Sequence, residues 1–424
     1  LGLRNFYINT DNRDNNAKAA GAQSKQEEWG QGFDLRFTSG YTQGTVGFGL
    51  DAIGLVGVKL DSGGGTNGAT ATSYGGTVFP SKSNGEAVDN FSSLGLTAKA
   101  KISQTELKLG TLQPKLPVIV TNDGRLLPQT FQGGQITTNE IKDLTLVGGQ
   151  IEHAKGRNSS NNEELSIAGA NSPTASGRDS NKFIYGGGDY KITKDLTAQY
   201  YYGNLEDFYK QHFLGLIHSW AIGPGVLKSD LRYFNSRDDG ANGNDPAYYT
   251  TGDYGTGITK GKVDNNLYSG LFLYTVSGHT FGGGYQVSNG DSDFPWLNQG
   301  DGSSAYLTTD MQIAKFARAG ERTWQARYSY DFAQIGAPGL TAGIVYLRGD
   351  NIDTTGKVGD RQVSTNATGR SEWERDITVG YVVPEGPLKN VGVMWKNAMW
   401  RNDIPGQRDQ DENRLIVSYS IPLL

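Results

Sequence analysis

Apolar residues recur at every second position through most of this chain. A pleated strand is the backbone form that turns alternate side chains to opposite faces. In "RLIVSYSIPLL" (414–424), Leu415, Val417, Tyr419, Ile421 and Leu423 share one face, while Arg414, Ser418 and Ser420 share the other. In "NVGVMWKNAMW", Val391, Val393, Trp395 and Met399 oppose Gly392, Lys396 and Ala398. "QGFDLRFTSG" sets Phe33, Leu35 and Phe37 against Asp34 and Arg36, and "KSDLRYFNSR" and "RTWQARYSYDF" behave alike. Each run is about ten residues, the length a tilted strand needs to cross a bilayer.

The connections between runs fall into two sets. Short ones lie at 38–43, 192–195, 223–225, 277–279, 336–339 and 384–389. Long ones, polar and rich in Gly, Asn and Asp, lie at 59–92, 113–134, 156–181, 237–264, 289–320 and 350–370. Short and long alternate, as they do in a transmembrane barrel with tight periplasmic turns at one rim and long extracellular loops at the other. A water-soluble sandwich has no reason to sort its loops by parity, and no fixed repeat marks a propeller or solenoid. The reading is an all-β, antiparallel transmembrane barrel over residues 1–424 with about 18 strands, the first at Leu1–Asn9 and the last at Arg414–Leu423.

Composition agrees. Gly (60 residues) and Tyr (22) outweigh long aliphatic runs, which favours strands and turns. With no Cys there are no disulfides and no thiolate metal sites. No stretch approaches the roughly 18 to 20 apolar residues of a spanning helix. Leu1 already sits in a strand-like run, so a mature chain is expected. Tyr200, Tyr201, Tyr202, Tyr209, Tyr233, Phe234, Tyr274, Trp373, Tyr381, Trp400 and Tyr419 fall near strand ends, where interface girdles are expected.

An 18-strand barrel leaves an aqueous lumen unless something fills it. The third long connection, 113–134, contains "LPVIVTNDGRLLPQTF" (116–131), stiffened by Pro114, Pro117 and Pro128. Three prolines exclude a helix or a central strand, yet so apolar a segment should not hang in water. It is expected to fold inward, narrow the pore and present Arg125 to the passage; pairing of Arg125 with Asp123 is the alternative. The strand parities place Arg36, Lys396 and Arg414 on the lumen face.

Here the residues resemble a known family. "SGYTQGTVGFGLDAIG", "NDGRLLPQTF", "LEDFYKQHF", "WQARYSYDFAQIGAPGL", "GYVVPEGP" and "ENRLIVSYSIPLL" look like the OprD, or Occ, family of substrate-specific outer-membrane channels. The resemblance runs from the first strand to the last residue. It implies 18 strands, inward-folded third and seventh long loops, and a ladder of basic residues guiding carboxylate-bearing solutes. The third loop followed by "GRNSSNNEE" is closer to the carboxylate-taking, OccK-like branch than to the OccD-like branch that takes basic amino acids. Arg125 then matches the constriction arginine, and Arg157 the basic residue opening the fourth loop. Arg13 and Lys25, in the first loop, are further candidates. "SNGDSDFPW" matches the start of the seventh loop (289–320), where Asp291 or Asp293 could supply acid to the opposite wall. Met394 stands where the basic-amino-acid branch has another inward Arg, so one rung is missing.

The implied setting is the bacterial outer membrane, with lipid bilayer, lipopolysaccharide and the outer-membrane assembly machinery as partners, as a monomer or weak trimer, and without nucleic acid. A net charge of −5 does not oppose a basic ladder, because a low-dielectric lumen focuses the field of the few charges lining it. No enzyme is expected: His153, His212, His218 and His279 show no Ser/His/acid spacing and no metal-site clustering. No cofactor or metal is expected, because "NGNDP" and "DNIDTTGKVGD" lack the ordered calcium-loop spacing. The runner-up is a channel of the same fold for basic, arginine-like amino acids, with acids such as Asp291 and Asp293 dominating the constriction.

Overall fold

In the computed structural model the wall is one closed sheet of 18 antiparallel strands. In chain order they are β1 (Gly2–Asn12), β2 (Lys25–Thr38), β3 (Gly47–Asp61), β4 (Asn90–Ile102), β5 (Thr105–Leu112) and β6 (Thr130–Thr138). Then follow β7 (Leu144–Lys155), β8 (Phe183–Thr193), β9 (Leu196–Leu205), β10 (Tyr209–Ile222), β11 (Gly225–Asp238) and β12 (Asp264–Val276). The last are β13 (His279–Asn289), β14 (Arg322–Asp331), β15 (Leu340–Asp353), β16 (Thr368–Val382), β17 (Gly392–Asn402) and β18 (Gln410–Ser420). Each strand pairs with its sequence neighbours, and β1 closes the ring by pairing with both β2 and β18. The structure describes all residues except 14–24, 63–76, 169–178, 246–247, 249–260, 299–303, 355, 359–360, 364–367, 406 and 424.

The register carries one face continuously around the ring. Gly2 is opposite Asp34 on one side and Ser420 on the other, so Arg4, Asp34, Arg36, Arg414 and Ser418 share a face. Lys396 joins it opposite Arg414, and Asp376 is opposite Ala398. This polar face is the lumen. The opposite face exposes Phe33, Leu35, Phe37, Phe48, Leu50, Leu94 and Leu96. An exposed apolar band of this kind is stable against lipid and unfavourable against water.

Strand ends depart from the periodicity. β1 runs to Asn12 and β18 begins at Gln410, because backbone pairing continues above the apolar band through Thr10, Asp11 and Asn12. The short turns sort to one rim as expected; Ser277 and Gly278 have φ of 47° and 80°, both positive, as a two-residue hairpin between right-twisted strands requires. The long rim has two exceptions, since only residues 206–208 separate β9 from β10 and only 403–409 separate β17 from β18. Four of the proposed girdle aromatics are corrected: Tyr201, Tyr209, Phe234 and Trp400 are buried on the lumen side. Consecutive residues cannot share a face, so the Tyr200–Tyr202 run must send its middle ring inward.

The buried apolar clusters lie inside the ring, where long loops meet the wall. Leu126 and Leu127 of the third loop pack with Phe6, Ile8, Leu55 and Phe79. Ala314 and Phe316 of the seventh loop pack with Leu347 and Trp400. Ser166–Ala168 of the fourth loop pairs with Trp296–Asn298 of the seventh. The loops therefore constitute the core that the barrel wall alone would lack.

Candidate functional site

The third loop enters the lumen as a small folded body. Lys115–Leu116 and Ile119–Val120 form a short hairpin, and the tip closes through Gln129 N–H to Asn122 O (2.8 Å) and Gly124 N–H to Asn122 Oδ1 (2.9 Å). Its seat on the wall is made by glycines. A Cβ on Gly32 would meet the Leu126 carbonyl at 2.9 Å, and one on Gly30 would meet the Leu126 side chain at 2.8 Å. Burying Leu126 and Leu127 contributes about 3–6 kcal/mol to holding the tip there. Arg4 clamps it further, donating to Asp123 Oδ1 (2.7 Å) and to the Arg125 carbonyl (2.6 Å).

The seventh loop crosses the lumen as a strap fixed at both ends by complementary charge. On one side, Arg232 and Arg327 donate to the carbonyls of Tyr306 and Thr308. On the other, the Glu374 carboxylate accepts the amides of Ile313 (2.9 Å) and Ala314 (2.7 Å), and Asp376 accepts that of Gln312 (3.3 Å). Cations hold carbonyls and carboxylates hold amides, so the strap's backbone is satisfied without secondary structure.

Arg414 joins the two loops. Its Nε donates to Glu412 (2.6 Å), and its terminal nitrogens donate to the carbonyls of Gly124 (3.2 Å) and Gln312 (3.0 Å). Where the loops meet, they leave a cavity of about 500 Å³ lined by Asp123, Arg125, Arg157, Asp310, Lys315, Asp376, Lys396 and Arg414 among others. Arg157, almost fully buried, donates to Asn122 Oδ1 (2.9 Å). Lys315 is paired with Asp310 (2.8 Å).

The structure thus brings Arg125, Arg157, Lys396 and Arg414 to one eyelet. Asp123 is taken by Arg4 rather than by Arg125, and half-buried Arg125 lies within electrostatic reach of buried Glu28. Arg36 lies lower on the lumen face, paired with Asp34 at 2.7 Å. Four candidates are corrected. Arg13 pairs with Asp11 and Asp411, and Lys25 with Glu27, all acids on the outward face; both cations sit at the outer rim. Asp291 is exposed just beyond β13, and Asp293 is buried, accepting the amide of Ala319 (2.8 Å). The acids at the eyelet are Asp123, Asp310 and Asp376. Asp376 and Arg4 had a readable signal, since "SEWERD" places Glu372, Glu374 and Asp376 on one face and "GLRNF" turns Arg4 inward. Asp310 and Lys315 had none, because loop residues carry no period. Met394 lies on the lumen face beside Ile416, as its parity requires.

Among the described residues, no group of three His, Cys, Asp or Glu is placed to hold a metal. His212 bonds Tyr200 and His279 bonds Tyr328, all on the outward face.

The model of the outer membrane porin, OprD family, matches residues 1–423. The chain belongs to the OprD family of outer-membrane porins. The structure of Pseudomonas aeruginosa OccK8 (OprE) is 61% identical with a TM-score of 0.87, covering 100% of this chain and 97% of that one. The porin-like protein GalP of Pseudomonas putida is 35% identical over 425 residues, 100% of this chain and 92% of that protein. A structure of Pseudomonas aeruginosa OpdK with vanillate is 36% identical with a TM-score of 0.82, covering 99% of this chain and 96% of that one. The chain therefore sits in the outer membrane as a substrate-specific porin of this family, with its short turns periplasmic and its long loops extracellular.

Proposed function

We propose that this porin is a passive uptake channel for small solutes bearing a carboxylate, read in the eyelet by cations of the wall and loops. The observation that carries the reading is Lys396. Four lumen cations are each neutralised by an acid two residues along the same face: Arg36 by Asp34, Arg232 by Asp230, Arg414 by Glu412 and Lys108 by Glu106. Lys396 has Met394 and Ala398 in those positions, and among the described residues its ammonium carries no hydrogen bond or ion pair. It lines the eyelet beside Arg157 and Arg414, where five cations face three carboxylates.

A carboxylate about 4 Å from one such cation gains roughly 4 kcal/mol at an effective dielectric near 20, before desolvation. That scale suits transient binding, since conduction needs sites weak enough to leave. Vanillate, found with OpdK, is a carboxylate of a size the eyelet would hold. The basic ladder would run from Arg157 and Arg125 through Lys396 towards Arg36, with Arg414 setting the aperture. The whole chain would act as one channel domain. Its surroundings would be lipopolysaccharide-bearing lipid and the outer-membrane assembly machinery, and its state a monomer or weak trimer.

Liposome swelling with purified protein tests the reading, comparing vanillate or benzoate with arginine at equal osmolality. Faster carboxylate entry that falls on Lys396→Ala supports it. Faster arginine entry assigns control to Asp123, Asp310 and Asp376 and moves the chain to the basic-amino-acid reading.

A further inference from the structure

One concavity lies outside the lumen. A groove of about 730 Å³ runs down the lipid-facing side of β10 to β13, between Leu214, Leu231, Tyr233, Tyr268, Phe272 and Tyr285. It exists because side chains are missing from the outward face. Gly270 is opposite Leu231 and Tyr285, and Gly283 is opposite Phe272. A Cβ on Gly283 would meet nothing within 4 Å, so close wall packing does not require glycine there.

Directly above the groove the outward face carries cations. Lys210 on β10 is opposite Arg237 on β11, a like-charge cross-strand pair that is unfavourable on its own. Arg237 is satisfied locally by Asp264 (3.0 Å) and by the carbonyls of Ser236 and Asn265. The nearby acid Glu206 is taken by Lys182 (2.9 Å). Lys210 is exposed and, among the described residues, has no hydrogen bond or ion pair. Lys262, two residues before Asp264, is also exposed at this rim. Between cations and groove lie the stacked rings of Tyr233 and Tyr268, with centroids 4.8 Å apart. Arg237 and Tyr233 are four residues apart, about 13 Å along a strand.

We propose that this face is a lipid-binding site for lipopolysaccharide of the outer leaflet. An acyl chain lies in the groove, the sugar headgroup covers the Tyr233–Tyr268 pair, and a headgroup phosphate is bound by Lys210 with Arg237. Three zones in this order, apolar trough, aromatic step and uncompensated cation, match an acylated, phosphorylated glycolipid from tail to head. The inference rests on the chain's place in the outer membrane and is independent of which solute passes through the lumen.

The test is native mass spectrometry of the detergent-purified porin titrated with diphosphorylated lipid A and with dephosphorylated lipid A. The expected result is one retained lipid A, bound at least tenfold more tightly with its phosphates. Lys210→Glu should abolish the phosphate preference, and Gly283→Leu, which fills the trough, should weaken both forms. Single-channel conductance should be unchanged in both variants, since neither side chain faces the lumen; that also shows each variant is folded. Equal retention of both lipid forms by the parent protein, or by parent and Lys210→Glu, overturns the proposal. So does a Gly283→Leu variant that changes the mass of a protein oligomer while leaving lipid retention intact, because a second copy would then own the groove.

Discussion

Replacing Arg414 with Lys separates two roles that this residue could have on the lumen wall. If it were a solute-reading rung, Lys would keep the charge and most of the selectivity. The structure gives it a different task, as one planar guanidinium donating to Gly124 O at 3.2 Å in the third loop and to Gln312 O at 3.0 Å in the seventh. A compact ammonium lacks that fork and cannot span both carbonyls. Hydrogen bonds from a charged donor contribute about 1.5–3 kcal/mol each. Both contacts exceed the roughly 2.7–2.9 Å of the strongest such bonds, so the lower end applies, about 3 kcal/mol for the two. At about 1.4 kcal/mol per decade, the closed arrangement of the two loops weakens by about a hundredfold. Leu126 and Leu127 keep the third loop on the wall, so its tip should loosen rather than leave. Single-channel recording in planar bilayers should therefore show a higher mean conductance with added fast noise. A quiet trace at the parent conductance would refute the clasp and return Arg414 to the ladder.

Gly32→Val should displace the third loop, because the new Cβ meets backbone at the Leu126 carbonyl; the expected result is an inserted barrel with a larger, less selective current. Glu374→Ala removes the acceptor of the Ile313 and Ala314 amides, and leaving two such donors unsatisfied costs about 1–3 kcal/mol each. Loop opening should appear as substate flicker, read against unchanged heat-modifiability of the barrel on gels. Arg125→Ala should lower carboxylate selectivity and raise conductance, checked by reversal potential under a salt gradient. Deleting 116–131 should leave an inserted barrel with a much larger current; failure to insert would make the loop part of the folding core.

Much of the wall was legible, down to which side of it a residue faces. Arg36, Lys396 and Arg414 follow from pleat parity alone, and Arg4 and Asp376 lay in the same signal. The failures are equally specific. Arg13 and Lys25 flank a loop, where parity ends, and near neighbours on the outward face capture them. Asp291 and Asp293 lie close together just past β13, yet one is exposed and the other is buried against Ala319 N–H. Three adjacent tyrosines at 200–202 looked like one girdle, but the pleat divides them between lipid and lumen.

Alternation and loop parity by themselves determined a closed barrel, its two rims, its lipid face, and the inward turn of a proline-stiffened apolar loop. These depend on local geometry, because a strand's side-chain period is set by its own backbone. Tertiary structure alone decided what the inward charges do. Arg414 meets Gly124 across 290 positions of sequence, and Arg4 meets Asp123 across 119. Such partners are set by ring closure and by the seats the wall offers each loop. The difference between a rung, a clasp and an ammonium such as that of Lys396, unpaired among the described residues, is therefore a property of the folded lumen.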